Sequence, residues 1–243
     1  MINSQGPRSA RRRVPVPTAA VMLAGVAVTL EFVGYVLRVS GAPHAIARPL
    51  SMDAPFSLAR MFVATLFAAA AVAAFLGSRR VPGRRTWWTA VAVLAAGISS
   101  VKAGGEVHVR FMHAVAAGDP VRGLLISTPI ALAAVAWLWW LSRHERRDRR
   151  RILTCLAAYA TASVGLSFVS SVVDQRWGTS AGATATFLEE SGEALTGVAF
   201  LFAVLLGVAP RLVLAGTWPL RRSADAHALD LPAVLPVRAE AGS

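Results

Sequence analysis

Three glutamates stand within five residues, Glu189, Glu190 and Glu193, inside an otherwise apolar run. On a helix Glu189 and Glu193 share a face at i, i+4, and Glu190 and Glu193 are neighbours at i, i+3. Three carboxylates so close repel one another. In a medium of low dielectric they coexist only with protons, metal ions or basic side chains around them. The chemistry this suggests is the handling of protons, cations or small basic ligands. The partners on offer are few. Lys102 is the single lysine of the chain. It stands at i+3 from Ser99, and Glu106 comes at i+7. Glu31 is isolated in a second apolar run. Tyr159, Ser163, Ser167, Ser170 and Asp174 recur at i, i+4, i+8, i+11 and i+15, one polar face on a third. Thr186 and Thr196 extend the glutamate stripe. The candidate ligand- or ion-binding set is therefore Glu31, Lys102, Glu106, Asp174, Glu189, Glu190 and Glu193.

Each of these groups also has a plain structural use. Serine stripes hold helices together, a lysine–glutamate pair can be purely structural, and acids in a first helical turn complement the macrodipole. A metal centre would draw on His108, His113 and Glu193, because imidazole and carboxylate ligands suit Zn, Fe or Mn. The sequence contains no HExxH and no paired ExxH helices of the di-iron kind, so a divalent metal remains open without a diagnostic motif. A ceramidase-type zinc hydrolase needs a tighter histidine set than His44, His108 and His113 provide. No P-loop or dinucleotide fingerprint occurs, and no histidine falls mid-span, so neither nucleotide nor haem is expected. Cys155, the one cysteine, cannot form an internal disulfide and reads as a small apolar side chain.

The elements that must position these groups are membrane helices. Of 243 residues, 55% are hydrophobic and 16% charged, with a mean hydropathy of +0.54. One soluble core of this size could not hide that much apolar surface. Six stretches are long enough to cross about 30 Å of hydrocarbon: Thr18 to Val39, Phe56 to Gly77, Trp87 to His108, Gly123 to Leu141, Ile152 to Val173 and Thr186 to Ala209. The expected fold is an all-α, six-helix transmembrane bundle over residues 17–213. A basic tail precedes it (1–16), and a polar tail without apolar periodicity comes after it (214–243). The net charge of +12 comes from arginine clusters between the apolar runs, which is the pattern of loops beside anionic headgroups rather than of a nucleic-acid-binding face. Alternating the spans puts 18 of the 24 arginines on one side and six on the other. By the positive-inside rule both termini are cytoplasmic. Trp87, Trp88, Trp137, Trp139 and Trp140 then fall at the inner interface as anchors. Glu31, Lys102, Glu106, Asp174 and the three glutamates all fall toward the outer side, with the glutamates in the first two turns of the last span.

The stretch FLEESGEALTGVAFLFAVLL, Phe187 to Leu206, resembles the last span of uncharacterised multi-pass membrane proteins of bacteria, actinobacteria above all, which carry an EE..E motif at that point. GGEVHVRFMH, residues 104–113, is similar to an acidic and histidine-bearing run near the outer end of an earlier span in such proteins. It keeps Glu106, His108 and His113 but lacks the leading Asp and the trailing Glu. The resemblance implies a location for the chemistry and no activity. Together these features point to an inner-membrane protein that binds a cation, a proton or a small basic ligand at an outward-facing acidic site, for transport or sensing. A metal-dependent enzyme acting on outer-leaflet lipid and a non-catalytic partner subunit are the alternatives.

Overall fold

The computed structural model describes residues 16–80, 82–104, 114, 120–142 and 146–213. The two tails, with Glu106, His108 and His113, lie outside the described residues. Described elements are helical throughout. They are α1 (Thr18–Val39), a single turn α2 (His44–Ala47), α3 (Leu58–Arg80), a 3₁₀ turn (Pro82–Arg84), α4 (Arg85–Ala103), α5 (Pro120–Leu141), α6 (Arg146–Ala160), a π-helical segment (Thr161–Leu166), α7 (Ser167–Trp177), α8 (Thr179–Val208) and α9 (Pro210–Val213). α6, the π segment and α7 run on as one rod.

Among the described residues five helices are long and apolar enough to cross a membrane: α1, α3, α5, the α6–α7 rod and α8. Runs of Ala, Val, Leu and Phe make these helices. Such residues cost little in a helix, and in lipid a helix satisfies every backbone polar group internally. The third apolar stretch is α4, 19 residues long, whose apolar run is diluted by Arg85, two Trp, two Ser and Lys102.

α8 is the centre of the bundle, packed against α1, α3 and the whole α6–α7 rod, while α3 and α4 form the most extensive helix pair. α5 lies at the periphery. The buried core joins Phe67, Trp88, Phe200 and Val204. One end of the bundle carries Arg79, Arg80, Arg84, Arg85 and Arg149 to Arg151. There Arg84 pairs with Asp148 at 3.1 Å. The opposite end holds the α1–α3 connection and the α7–α8 turn.

Two differences from the sequence expectation matter. Trp88 has 0% exposure and Trp87 is also buried; both face the bundle instead of the membrane interface. Gly207 leaves the space Trp88 fills, since a Cβ there would enter the indole ring. Trp137, Trp139 and Trp140 are exposed. Secondly, α8 begins at Thr179, seven residues before the expected start. Gly178, at φ 81°, makes the α7–α8 turn in a conformation that suits glycine, and the Thr/Ser/Ala/Gly run after it is already helical. The glutamates therefore stand deep in the helix, Glu193 being the fifteenth of its 30 residues.

Candidate functional site

α8 presents Glu189, Glu190 and Glu193 to the bundle interior, and all three are buried. At ten residues or more from the helix start, about 15 Å, they gain little from the helix dipole, which acts within the first turn. Their compensation comes from neighbouring helices. Lys102, at the end of α4 and 4% exposed, places Nζ 2.8 Å from Glu190 Oε2, to which it donates a hydrogen bond, and 2.5 Å from Glu193 Oε2, a charge contact without hydrogen-bond geometry. Gly104 closes α4 just beyond, at φ 107°, a left-handed position open to glycine, and no side chain there blocks the close approach of Pro55.

Arg60 fixes that helix end. Its Nε donates to the Lys102 carbonyl at 3.1 Å, one terminal nitrogen to the Val101 carbonyl at 3.4 Å, and the other to the Asp53 carbonyl at 3.2 Å. The Lys102 carbonyl is one that a helix end leaves without an intrahelical partner, and the Val101 carbonyl also accepts the Gly104 N–H at 3.2 Å. The guanidinium also faces Glu31 and Lys102 electrostatically, so it is the second cation of the cluster.

Glu31 comes from α1. It is 1% exposed and faces Glu190, Lys102, Glu193 and Arg60. Its Oε2 is buried without a hydrogen-bond partner. The α1–α8 contact that holds it there is aromatic: Phe32 and Tyr35 lie 6.2 and 5.4 Å from Phe187, ring centre to ring centre.

The α6–α7 rod closes the remaining side. An α-helix would carry Tyr159, Ser163, Ser167, Ser170 and Asp174 on one face. The π segment between them carries one wider turn, which rotates α7 relative to α6. The stripe meets two acids at two heights. Tyr159 hydroxyl reaches Glu193 and Ser163, while Ser170 Oγ donates to Glu189 Oε2 at 2.6 Å and Ser167 also reaches Glu189. The π segment fits because Gly192 of α8 faces it; a Cβ on Gly192 would stand 3.3 Å from Ala162. Below the glutamates the interior is apolar. Phe67 meets Tyr159 edge to face at 4.9 Å and Phe200 tilted at 5.3 Å, an aromatic floor toward the Arg-rich end.

The structure thus brings together five of the sequence candidates: Glu31, Lys102, Glu189, Glu190 and Glu193. Asp174 does not join them. It is exposed near the end of α7, its carboxylate lying against Gly182 of α8. Ser99 spends its hydroxyl on the Ala64 carbonyl at 2.8 Å, and Thr186 and Thr196 bond carbonyls of their own helix; none of the three adds to the site. Arg60 is the side chain of the cluster that the sequence did not single out. Four carboxyls face two cations in a space walled by apolar helices. The donor types present, carboxylate oxygens with an ammonium and a phenol nearby, suit proton exchange or the binding of a hard cation.

The family described as Domain of unknown function (DUF8692) matches residues 44–208, about two thirds of the chain, and the chain belongs to that family. Arg60, Lys102, Tyr159, Ser170 and the three glutamates lie within the matched segment; Glu31 precedes it. No curated protein matches the chain. No solved structure matches it.

Proposed function

We propose that the chain is a six-span protein of a bacterial plasma membrane, with both termini cytoplasmic, that binds protons, a cation or a small basic ligand at the buried acidic cluster, for transport or sensing. The supporting observation is the charge imbalance at the cluster. Glu31, Glu189, Glu190 and Glu193 face only Lys102 and Arg60 among the described cations, and Glu31 keeps a buried oxygen without a partner. A buried acceptor left without a donor costs about 1–3 kcal/mol, more when charged. A proton, a cation or another donor that reaches the oxygen would remove this cost.

The span count and orientation have their own support. At 19 residues α4 is about 28 Å long, close to the hydrocarbon thickness. Counting it as a crossing puts all four arginine clusters on one side; leaving it out divides them. The arginine-rich, lysine-poor composition and the EE..E run fit an actinobacterial origin. The position of Glu193 halfway along α8 suits a transporter, whose sites lie near the midplane, and the aromatic floor leaves the side away from the arginines as the approach.

The test uses purified protein in lipid nanodiscs. Labelled sodium and labelled methylammonium are added separately in weakly buffered solution, and bound label and released protons are both counted. Saturable binding of at least one probe with proton release, lost in Glu190→Gln and Glu193→Gln, is the expected result. No binding of sodium, methylammonium or a divalent ion by wild type, or binding equal in both variants, overturns the reading.

A further inference from the structure

The cluster also carries information about the charge of what it takes. Four carboxylates against two cations leave a deficit of two positive charges. A monovalent ion would leave half of it in a medium that tolerates little net charge. One divalent cation, or two protons, removes it. Geometry agrees with the ion. Glu189, Glu190 and Glu193 can each direct an oxygen so that the three lie within 4.8 Å of one another. Two oxygens on opposite sides of one magnesium, manganese or calcium ion stand about 4–5 Å apart. Lys102 contacts Oε2 of Glu190 and of Glu193, while the other contacts are neutral hydroxyls, Tyr159 on Glu193 and Ser170 with Ser167 on Glu189; a hydroxyl neutralises no charge and can turn aside for an ion. The fourth carboxylate, Glu31, comes from another helix with Oε2 unpartnered and its side chain almost wholly buried. The donors are all oxygen, as hard divalent ions require.

We propose that the cluster is a site for one hard divalent cation, held by Glu31, Glu189, Glu190 and Glu193 beside Lys102, with two protons as the competing occupants. This rests on the cation-binding reading above and narrows it. Because ligand carboxylates must shed protons to bind metal, acid displaces the ion. The groups that share this balance are Glu31 on α1, Arg60 on α3, Lys102 on α4, Tyr159 on α6, and the three glutamates on α8.

Manganese(II) is the probe, counted by electron paramagnetic resonance on the full chain in nanodiscs of zwitterionic lipid. One ion per chain should bind saturably, be released in acid, and be displaced by magnesium or calcium. Glu31→Gln, which keeps the shape of the side chain, should weaken binding by at least about 10–100-fold, the loss that removal of even an outer-shell partner brings. Wild-type stoichiometry and acid release need no variant, so a failure of Glu31→Gln to fold leaves the proposal testable. If manganese does not bind while sodium or methylammonium does, the divalent assignment falls and the acidic cation site stands. If none of the three binds, both fall. Manganese binding that Glu31→Gln and Glu193→Gln leave unchanged places the ion elsewhere and also overturns the proposal.

Discussion

Lys102 is the residue on which the buried charges depend. Its ammonium contacts two glutamates at once, Glu190 and Glu193. Breaking a buried ion pair by removing one partner costs about 3–5 kcal/mol, because the other charge stays buried. Lys102→Met should therefore destabilise the protein by about that much, read as a large drop in melting temperature in detergent. Adding Glu190→Gln or Glu193→Gln to it should restore part of the loss. Purely additive losses in the double variants would mean that the pairs are not coupled. Ser170→Ala removes one of the two hydroxyl donors on Glu189 and should cost about 1–3 kcal/mol, measurable by the same thermal scan. At this scale much was legible from the sequence. A lone lysine and clustered acids in apolar runs draw attention because lipid makes them expensive. Arg60 was not legible. An arginine near a span end normally reads as a solvated or snorkelling charge, and only the fold shows its fork on the end of α4.

The π segment is the element that adapts the α6–α7 rod to the site. Periodicity of 3.6 predicts one continuous polar stripe; the wider turn instead rotates Ser170 relative to Tyr159, and the two meet different glutamates at different heights. No residue in Thr161–Leu166 announces this, since the turn is made against Gly192 of another helix. Gly192→Leu would press on Ala162 and Leu166. It should cost about 1–3 kcal/mol by overpacking, and should weaken cation binding as well as stability, while Gly192→Ala does much less. Equal behaviour of the two substitutions would show that the segment does not need the gap. The start of α8 was misplaced for a similar reason. A Thr/Ser/Gly-rich run looks like a loop, yet Gly178 supplies the turn alone and lets the helix begin at once. Trp87 and Trp88 read as interface anchors because composition reveals depth and not facing. The space beside Gly207 turned Trp88 inward. Gly207→Val should clash with it and lower the melting temperature.

For the whole molecule, the apolar runs, their lengths and the all-helical class were readable because lipid permits few alternatives. The pairing of helices was not, since α8 as the hub depends on side-chain shape and not on hydropathy. The proposed orientation has a direct check. In a Cys155→Ala background, Ser40→Cys and Ser180→Cys should react with an impermeant thiol reagent added outside intact cells. Arg79→Cys should react only after the membrane is opened. The reverse pattern would invert the topology, and labelling of Ser40→Cys and Ser180→Cys from opposite sides would refute the span count.

The central claim is that the buried carboxyls exchange protons for a cation, and infrared difference spectroscopy sees those carboxyls directly. A spectrum taken between neutral and acid solution should contain carboxylic-acid C=O signals. A bound cation should suppress them, and Glu31→Gln, Glu190→Gln and Glu193→Gln should each remove a part. A spectrum without such signals, or one that the cation and all three substitutions leave unchanged, would contradict the account.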